Sequence, residues 1–233
     1  MIDIKSLSSG SHGNCYWVSD GSTPLLLEAG ISFSEIKKGI DYKTSELAGV
    51  LISHEHQDHC KAVEKITRRG IDCYMSQGTA DELDINSHRI NTVWTRGQFK
   101  VGSWSILPFE TQHDAEQSLG FLIENSAGEK LLFATDTYYI KYKFQELNYI
   151  MLECNYALDI LNENVKSGRV HPSQKKRVLQ SHFSLNNVKD FLRANDLSQV
   201  QEIWLLHLSN DNSDERRFKR EIQELTGKVV KIA

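Results

Sequence analysis

The sequence predicts an α/β protein built as a four-layer αββα sandwich. Two strand-rich stretches, each flanked by helical ones, point to it, and so does a histidine-rich run placed directly behind a compact apolar strand. The chain has 233 residues, three prolines, no repeat and no linker, so it reads as one domain over 1–233. A chain of that length buries a sizeable core without disulfides or other staples. With 25% charged and 39% hydrophobic residues it is globular and not disordered. A formal net charge of −4 gives no global pull toward nucleic acid, so any basic binding surface has to be local.

Taken in order, residues 2–7, 15–19 and 25–29 have strand composition and are separated by SSGSHGN and DGST, which are turn chemistry. A short helix is expected over 31–40. The apolar run 48–52 is a buried strand that feeds into SHEHQDH, and 60–69 reads as helix closed by Gly70. Strands follow at 71–75, 90–94, 99–101, 104–110, 119–124 and 130–134, with AGE as the turn between the last two, and then at 149–153. The final third carries helices at 171–182, 185–194 and 214–225 and strands at 203–206 and 229–232.

The opening MIDIKSLSSG has no apolar h-region, and no stretch approaches the roughly 18 apolar residues that span a bilayer. The expectation is a cytoplasmic protein without a membrane partner. Cys15, Cys60, Cys73 and Cys154 form no CxxC pair, so they read as reduced, partly buried thiols and not as a zinc ribbon.

The chemistry centres on Ser53-His54-Glu55-His56-Gln57-Asp58-His59, where three histidines and an aspartate lie within six residues behind a buried strand. Two residues apart on extended backbone, His54 and His56 can point the same way. Asp58 and His59 fall where a helix begins, so they can turn toward a second point. Imidazole and carboxylate together are ligands for zinc and other borderline first-row ions. A solvated polar turn has no reason to use three histidines at this spacing.

This run resembles the HxHxDH motif of the metallo-β-lactamase superfamily. Further family positions match His113 in FETQHDA, Asp136 in LLFATDT and His207 in IWLLHLS, in the family's order and approximate spacing. The resemblance implies that His54, His56 and His113 hold one divalent metal ion, that Asp58, His59 and His207 hold another, and that Asp136 bridges them. Zn²⁺ is the expected metal, with Mn²⁺ or Fe²⁺ as alternatives. Five of the nine histidines are used in this way. The strand before the motif ends in LLLEAG, with Glu28 where the family has aspartate. That residue supports the metal-binding loop, so a side chain one methylene longer shifts the loop slightly. An aspartate at 136, with no cysteine at any ligand position, argues against β-lactam hydrolysis.

Six short stretches further resemble the YycJ/WalJ (VicX) group, which is associated with 5′-to-3′ exonuclease activity on DNA. They are SLSSGSHGNCYWV, EAGIS, LLFATDTYYI, MLECNYALDIL, RVHPSQKKRVLQSHFSLNN and LLHLSNDN. The chain departs from the group at Glu28, Tyr138 and Phe183-Ser184-Leu185. The resemblance implies a phosphodiesterase or nuclease acting on nucleic acid, with DNA as the partner that the group's activity points to. Hydrolysis would use a water whose pKa the cations depress, with Asp58 orienting that water as well as ligating. His182, at the place of the group's GHLSN histidine, would bind the scissile phosphate or protonate the leaving oxygen, or else be a capping or hydrogen-bonding histidine before the helix from Leu185.

Several readings stay open. Lys166, Arg169, His171, Lys175, Lys176 and Arg177 are either a phosphate-contacting strip or a solvated helix face. Residues 8–14 either present backbone N–H groups to a ligand or form a tight turn. His12 and His88 are surface residues. Glu153 and Asn155 sit at the rim of the site, with Glu153 supporting the metals. A small-molecule hydrolase of thioesters or cyclic phosphodiesters would share the whole ligand set. A metal-binding but silent regulator is disfavoured because no ligand is missing.

Overall fold

The computed structural model describes residues 1–233, which form two compact units: Met1–Glu110 with Ala115–Glu129, and Thr111–Asp114 with Lys130–Ala233. The first unit contains β1 (Asp3–Ser8), β2 (Cys15–Ser19), β3 (Pro24–Leu27), α1 (Phe33–Gly39), β4 (Gly49–Leu51), α2 (Gln57–Cys60), α3 (Val63–Thr67), β5 (Cys73–Met75), α4 (Gln77–Leu83), β6 (Ile90–Thr92), β7 (Phe99–Val101), β8 (Trp104–Glu110) and β9 (Leu119–Glu124). Strands β1 to β6 form a sheet in chain order, antiparallel through β1-β2-β3 and parallel from β3 to β6. Strands β7, β8 and β9 pair antiparallel.

Apolar runs along the strands explain this unit's core. Leu26, Val50, Ile52, Cys73 and Met75 pack with Phe33 and Ile36 of α1 and with Val63 and Ile66 of α3. The intervening Leu25, Leu27 and Leu51 are fully buried as well, so these strands read as continuous apolar runs and not as alternating ones. Buried Trp104 donates through Nε1 to the Thr23 carbonyl at 2.7 Å, tying β8 to the β2–β3 turn. At the AGE turn, the Asn125 side chain accepts from the N–H groups of Ala127 and Glu129, and Gly128 supplies φ 81.

The second unit contains β10 (Lys130–Ala134), β11 (Leu147–Glu153), α5 (Leu158–Lys166), α6 (Pro172–Ser181), α7 (Leu185–Ala194), β12 (Glu202–Leu206), α8 (Glu215–Thr226) and β13 (Val229–Ile232). Its four strands are all parallel, in the order β13-β12-β11-β10. The helices begin where the side chains allow: Ser184 caps α7, and Asp214 caps α8, which ends on left-handed Gly227. No helix is long and apolar enough to cross a membrane. All four cysteines are free and buried.

Every strand expected from the sequence is present. The expected helix over 60–69 is corrected to two short pieces, α2 and α3, because the Ala62 N–H bonds to the Ala29 carbonyl and leaves the helical ladder. Helices α4 and α5 have no counterpart in the sequence reading. Both are short, at 7 and 9 residues, so their apolar faces, Ala80 and Leu83 in α4 and Leu161 and Val165 in α5, span too few turns to set a helical period.

That break in the helix reflects how the metal-motif segment is held. The Asp58 carbonyl accepts from the Asn14 N–H at 2.7 Å, and the His59 carbonyl from the Ala29 N–H at 2.7 Å. Gly30 permits this approach, since a Cβ there would lie 1.7 Å from the Asp58 oxygen. Gly30→Ala should therefore destabilise at or beyond the upper end of the usual ~1–3 kcal/mol for overpacking. Gly70→Ala, with open space around the position but φ 81, should cost about 1 kcal/mol. Urea unfolding of both variants checks the contrast, and equal midpoints would show that the interlock is not tight.

Candidate metal centre

In the first unit the donors stand at the carboxyl ends of the parallel pair β3 and β4. His54 follows β4, His56 is the residue before α2, and Asp58 and His59 lie within α2. His54 Nε2 and His56 Nδ1 approach to 3.1 Å, and the His54 and His59 rings lie 4.1 Å apart. Asp58 Oδ2 is 3.5 Å from His59 Nε2. His54 and His59 are buried, whereas the Asp58 side chain is 28% exposed.

Supports surround these donors. The Ser53 hydroxyl meets His54 Nδ1 at 2.8 Å, and Asn14 Nδ2 meets His59 Nε2 at 3.2 Å. Glu28 is fully buried, accepts from the Ser53 N–H, and places Oε2 3.7 Å from His59 Nδ1. Burial pushes its carboxyl pKa up, with His59 and Ser53 opposing. Its φ of 66 is left-handed, a conformation that a non-glycine residue adopts at a cost of about 1–3 kcal/mol. Residues 8–14 form a tight turn: the Gly13 N–H bonds the Gly10 carbonyl, and the Gly10 N–H bonds Asn14 Oδ1. The N–H groups of Gly10 and Gly13 are thereby engaged within the chain itself.

In the second unit Asp136, Glu153 and His207 stand at the carboxyl ends of three adjacent parallel strands, β10, β11 and β12. Their ligand atoms and that of His182 all lie within 4.8 Å of one another. His207 Nδ1 is 2.7 Å from Asp136 Oδ1 and 3.2 Å from Glu153 Oε1. His182 Nδ1 is 2.6 Å from Glu153 Oε1. Asp136 and His207 are also left-handed, with φ 41 and 51. His113 sets its Nδ1 3.0 Å from the Ser181 carbonyl, which makes Nδ1 the donor and leaves Nε2 basic, 3.8 Å from Asp136 Oδ2.

Glu153 organises this cluster. Besides the two histidines it accepts from the Thr137 N–H at 2.9 Å and the Phe183 N–H at 3.1 Å. Burial favours its neutral form, yet His182 and His207 hold its pKa below the ordinary value. Burial likewise opposes charge on His207, but Asp136 and Glu153 push its pKa up to about 10. His182 is raised in the same way, while burial lowers His113.

Two expectations are corrected. Glu153 and Asn155 are not rim residues: both are buried, and Asn155 Nδ2 donates to the His207 carbonyl at 2.8 Å. His182 does not cap α7, since Ser184 does, and its ring joins the cluster. His12 and His88 are exposed, as expected. His171 caps α6, its Nδ1 accepting from the Ser173 N–H. The sequence placed Glu153 as a support for the metals, but its burial and its four partners came only with the fold.

Buried imidazoles and carboxylates at strand ends, with their outer nitrogens fixed by hydroxyl, carbonyl and carboxylate partners, fit divalent cations in each unit. A family model described as "Beta-lactamase superfamily domain" matches residues 25–207. Exodeoxyribonuclease YycJ of Bacillus anthracis is 26% identical over 227 residues, covering 91% of this chain and 84% of that protein. Exodeoxyribonuclease WalJ of Streptococcus pneumoniae is 27% identical over 226 residues, covering 89% and 81%. Among solved structures, the metallo-β-lactamase fold protein YhfI from Bacillus subtilis matches with a TM-score of 0.76 at 15% identity, covering 100% of this chain and 95% of that one. The α/β metallo-β-lactamase fold expected from the sequence is the fold of this protein.

Removing Glu153 would leave His182 and two N–H groups without their buried acceptor and take from His207 one of its two carboxylate partners. Glu153→Ala should lower the stability of the metal-free protein by about 3–5 kcal/mol, and Glu153→Gln by less. Urea unfolding under chelation measures both, and an unchanged midpoint would refute the organising role. The pH dependence has a definite sign. The His207 contribution is complete below its ordinary value of about 6.5 and is lost as pH rises through about 10. The urea midpoint of the chelated protein should therefore fall across that window, and a flat profile would count against the pairing.

Proposed function

We propose that this chain, which belongs to the β-lactamase superfamily, is a two-metal phosphodiesterase that degrades DNA in the manner of an exonuclease. Hydrolysis is the superfamily chemistry, and the substrate is what is proposed. One observation carries it. Lys176 and Arg177 of α6 share an open cleft of about 660 Å³ with His113, Asp114 and Tyr138. Cationic groups are thereby gathered in the same cleft as a candidate metal ligand, where a phosphodiester would lie. Arg177 Nε is held 3.1 Å from Asp114 Oδ2, which fixes its direction. Lys166 and Arg169 are exposed and outside these walls. The two exodeoxyribonuclease relatives, similar over about nine tenths of the chain, point the same way.

In this reading the two units make one hydrolase domain. His54, His56 and His113 would hold one ion, Asp58, His59 and His207 the other, and Asp136 would bridge. Divalent cations bound there, with Zn²⁺ favoured over Mn²⁺ or Fe²⁺, lower the pKa of water and neutralise charge on phosphoryl oxygens. Asp58, being partly exposed, would orient the attacking water. His182 is held through Nδ1 by Glu153, so its Nε2 can meet a phosphate or leaving oxygen. Lys176 and Arg177 draw the strand in. Four free, buried cysteines fit a reducing compartment such as the cytoplasm.

Elemental analysis should find close to two transition-metal ions per chain, and chelation should abolish cleavage of end-labelled DNA. Asp136→Ala should remove activity while the apo fold survives, and wild-type turnover would show that another residue bridges. His182→Ala should harm DNA cleavage far more than hydrolysis of an aryl phosphodiester with an acidic leaving group if His182 protonates that group. It should harm both alike if His182 only binds phosphate. Turnover of thioesters or cyclic phosphodiesters, with no affinity for polynucleotides, would favour the small-molecule hydrolase instead.

A further inference from the structure

We infer that residues 138–144, Tyr-Tyr-Ile-Lys-Tyr-Lys-Phe, form a stacking platform for single-stranded polynucleotide that leads into the His113 cleft. The inference rests on the nuclease reading above and names the strand state that the site accepts.

The segment follows Thr137 without regular secondary structure, yet it is held along its length. The Tyr138 N–H donates to the Gln112 carbonyl at 3.0 Å, and its carbonyl accepts from Asn187 Nδ2 at 3.1 Å. The Thr137 hydroxyl donates to the Tyr139 carbonyl at 2.9 Å, and the Phe144 N–H donates to Asn195 Oδ1 at 2.7 Å. Between these anchors Tyr139 is 56% and Tyr138 39% exposed, and Lys141 and Lys143 are exposed too. Single exposed aromatics need no explanation. Adjacent tyrosines on a pinned loop, followed by lysines that alternate with Tyr142 and Phe144, do.

Residues 138–143 form one wall of a groove of about 300 Å³, and α7 forms the other through Asn187, Asp190 and Phe191. Asp190, the acid in that wall, is paired with Arg193 at 2.9 Å. Lys141 Nζ lies 5.3 Å from the Tyr142 ring centroid, keeping cation and aromatic face together. Tyr138 lines both this groove and the cleft that holds His113, Lys176 and Arg177, so the two adjoin at that residue. Aromatic faces beside a track of cations are what a single strand needs: bases stack on the rings and phosphates meet the lysines. A duplex keeps its bases inside and offers the tyrosines nothing to stack on.

The test uses metal-loaded full-length protein, a fluorescent 20-mer of dT, an abasic strand of equal length and a blunt 20-base-pair duplex, read by anisotropy. The probes carry phosphorothioate linkages so that they survive. Tyr139→Ala should weaken dT binding by about tenfold or more, Tyr139→Phe should retain it, and the abasic strand should bind as weakly as the variant. Lys141→Ala with Lys143→Ala should lower the salt slope by roughly 0.7 for each phosphate that is no longer neutralised. Equal weakening on dT and duplex would overturn the inference, because the residues would then act through charge alone. So would unchanged dT affinity in a protein that still degrades DNA, which leaves the nuclease reading intact. If the wild-type protein neither binds nor cleaves any polynucleotide, the nuclease reading itself fails and the platform with it. Thermal unfolding of each variant keeps a folding defect from being mistaken for weakened binding.

Discussion

One buried carboxylate sets the geometry of the second unit's chemistry. Glu153, at the carboxyl end of β11, accepts from two backbone N–H groups and meets His182 and His207 on the same side chain. An ionised group without solvent survives only when its lone pairs are met in this way. The backbone donors come from Thr137, beside Asp136, and Phe183, beside His182. The carboxylate thus orders the residues next to the donors as well as the donors themselves. Parallel strands make this possible, because their ends bring Asp136, Glu153 and His207 to one edge.

Backbone strain is concentrated at the same places. Glu28, Asp136 and His207 each follow the last residues of a strand, and each has a left-handed φ. Such a residue turns the chain sharply and aims its side chain across the strand end. The cost is tolerated because surrounding hydrogen bonds leave no alternative. For Glu28 those bonds run to Ser53, and for His207 the Asn155 amide holds the carbonyl. The longer side chain at 28 is accommodated in full burial, with the carboxylate still reaching the Ser53 N–H.

Charge is distributed locally and not globally. A chain of net charge −4 gathers Lys176 and Arg177 into the His113 cleft, with Asp114 directing the arginine. On the nuclease reading, long-range steering of a polyanion would therefore be weak, and recognition would rest on short-range contacts, which salt screens less.

By itself the sequence determined all the strands and the candidate donors. Strands announce themselves through compact apolar runs between turn residues, and His54, His56, Asp58 and His59 lie within a single motif. The short helices α4 and α5 escaped because their apolar faces span only about two turns, too few to set a helical period. The break between α2 and α3 escaped because it is caused by a backbone bond from Ala62 to the distant Ala29 carbonyl. Likewise, nothing local in LNYIMLE distinguishes Glu153 from a solvated strand end; only the parallel register of β10, β11 and β12 makes it the acceptor for residues 16 to 54 positions away. Residue types and their order fix which atoms can ligate. Which buried carboxylate holds them in place is decided by tertiary packing, since hydrogen-bond partners remote in sequence leave no periodic trace.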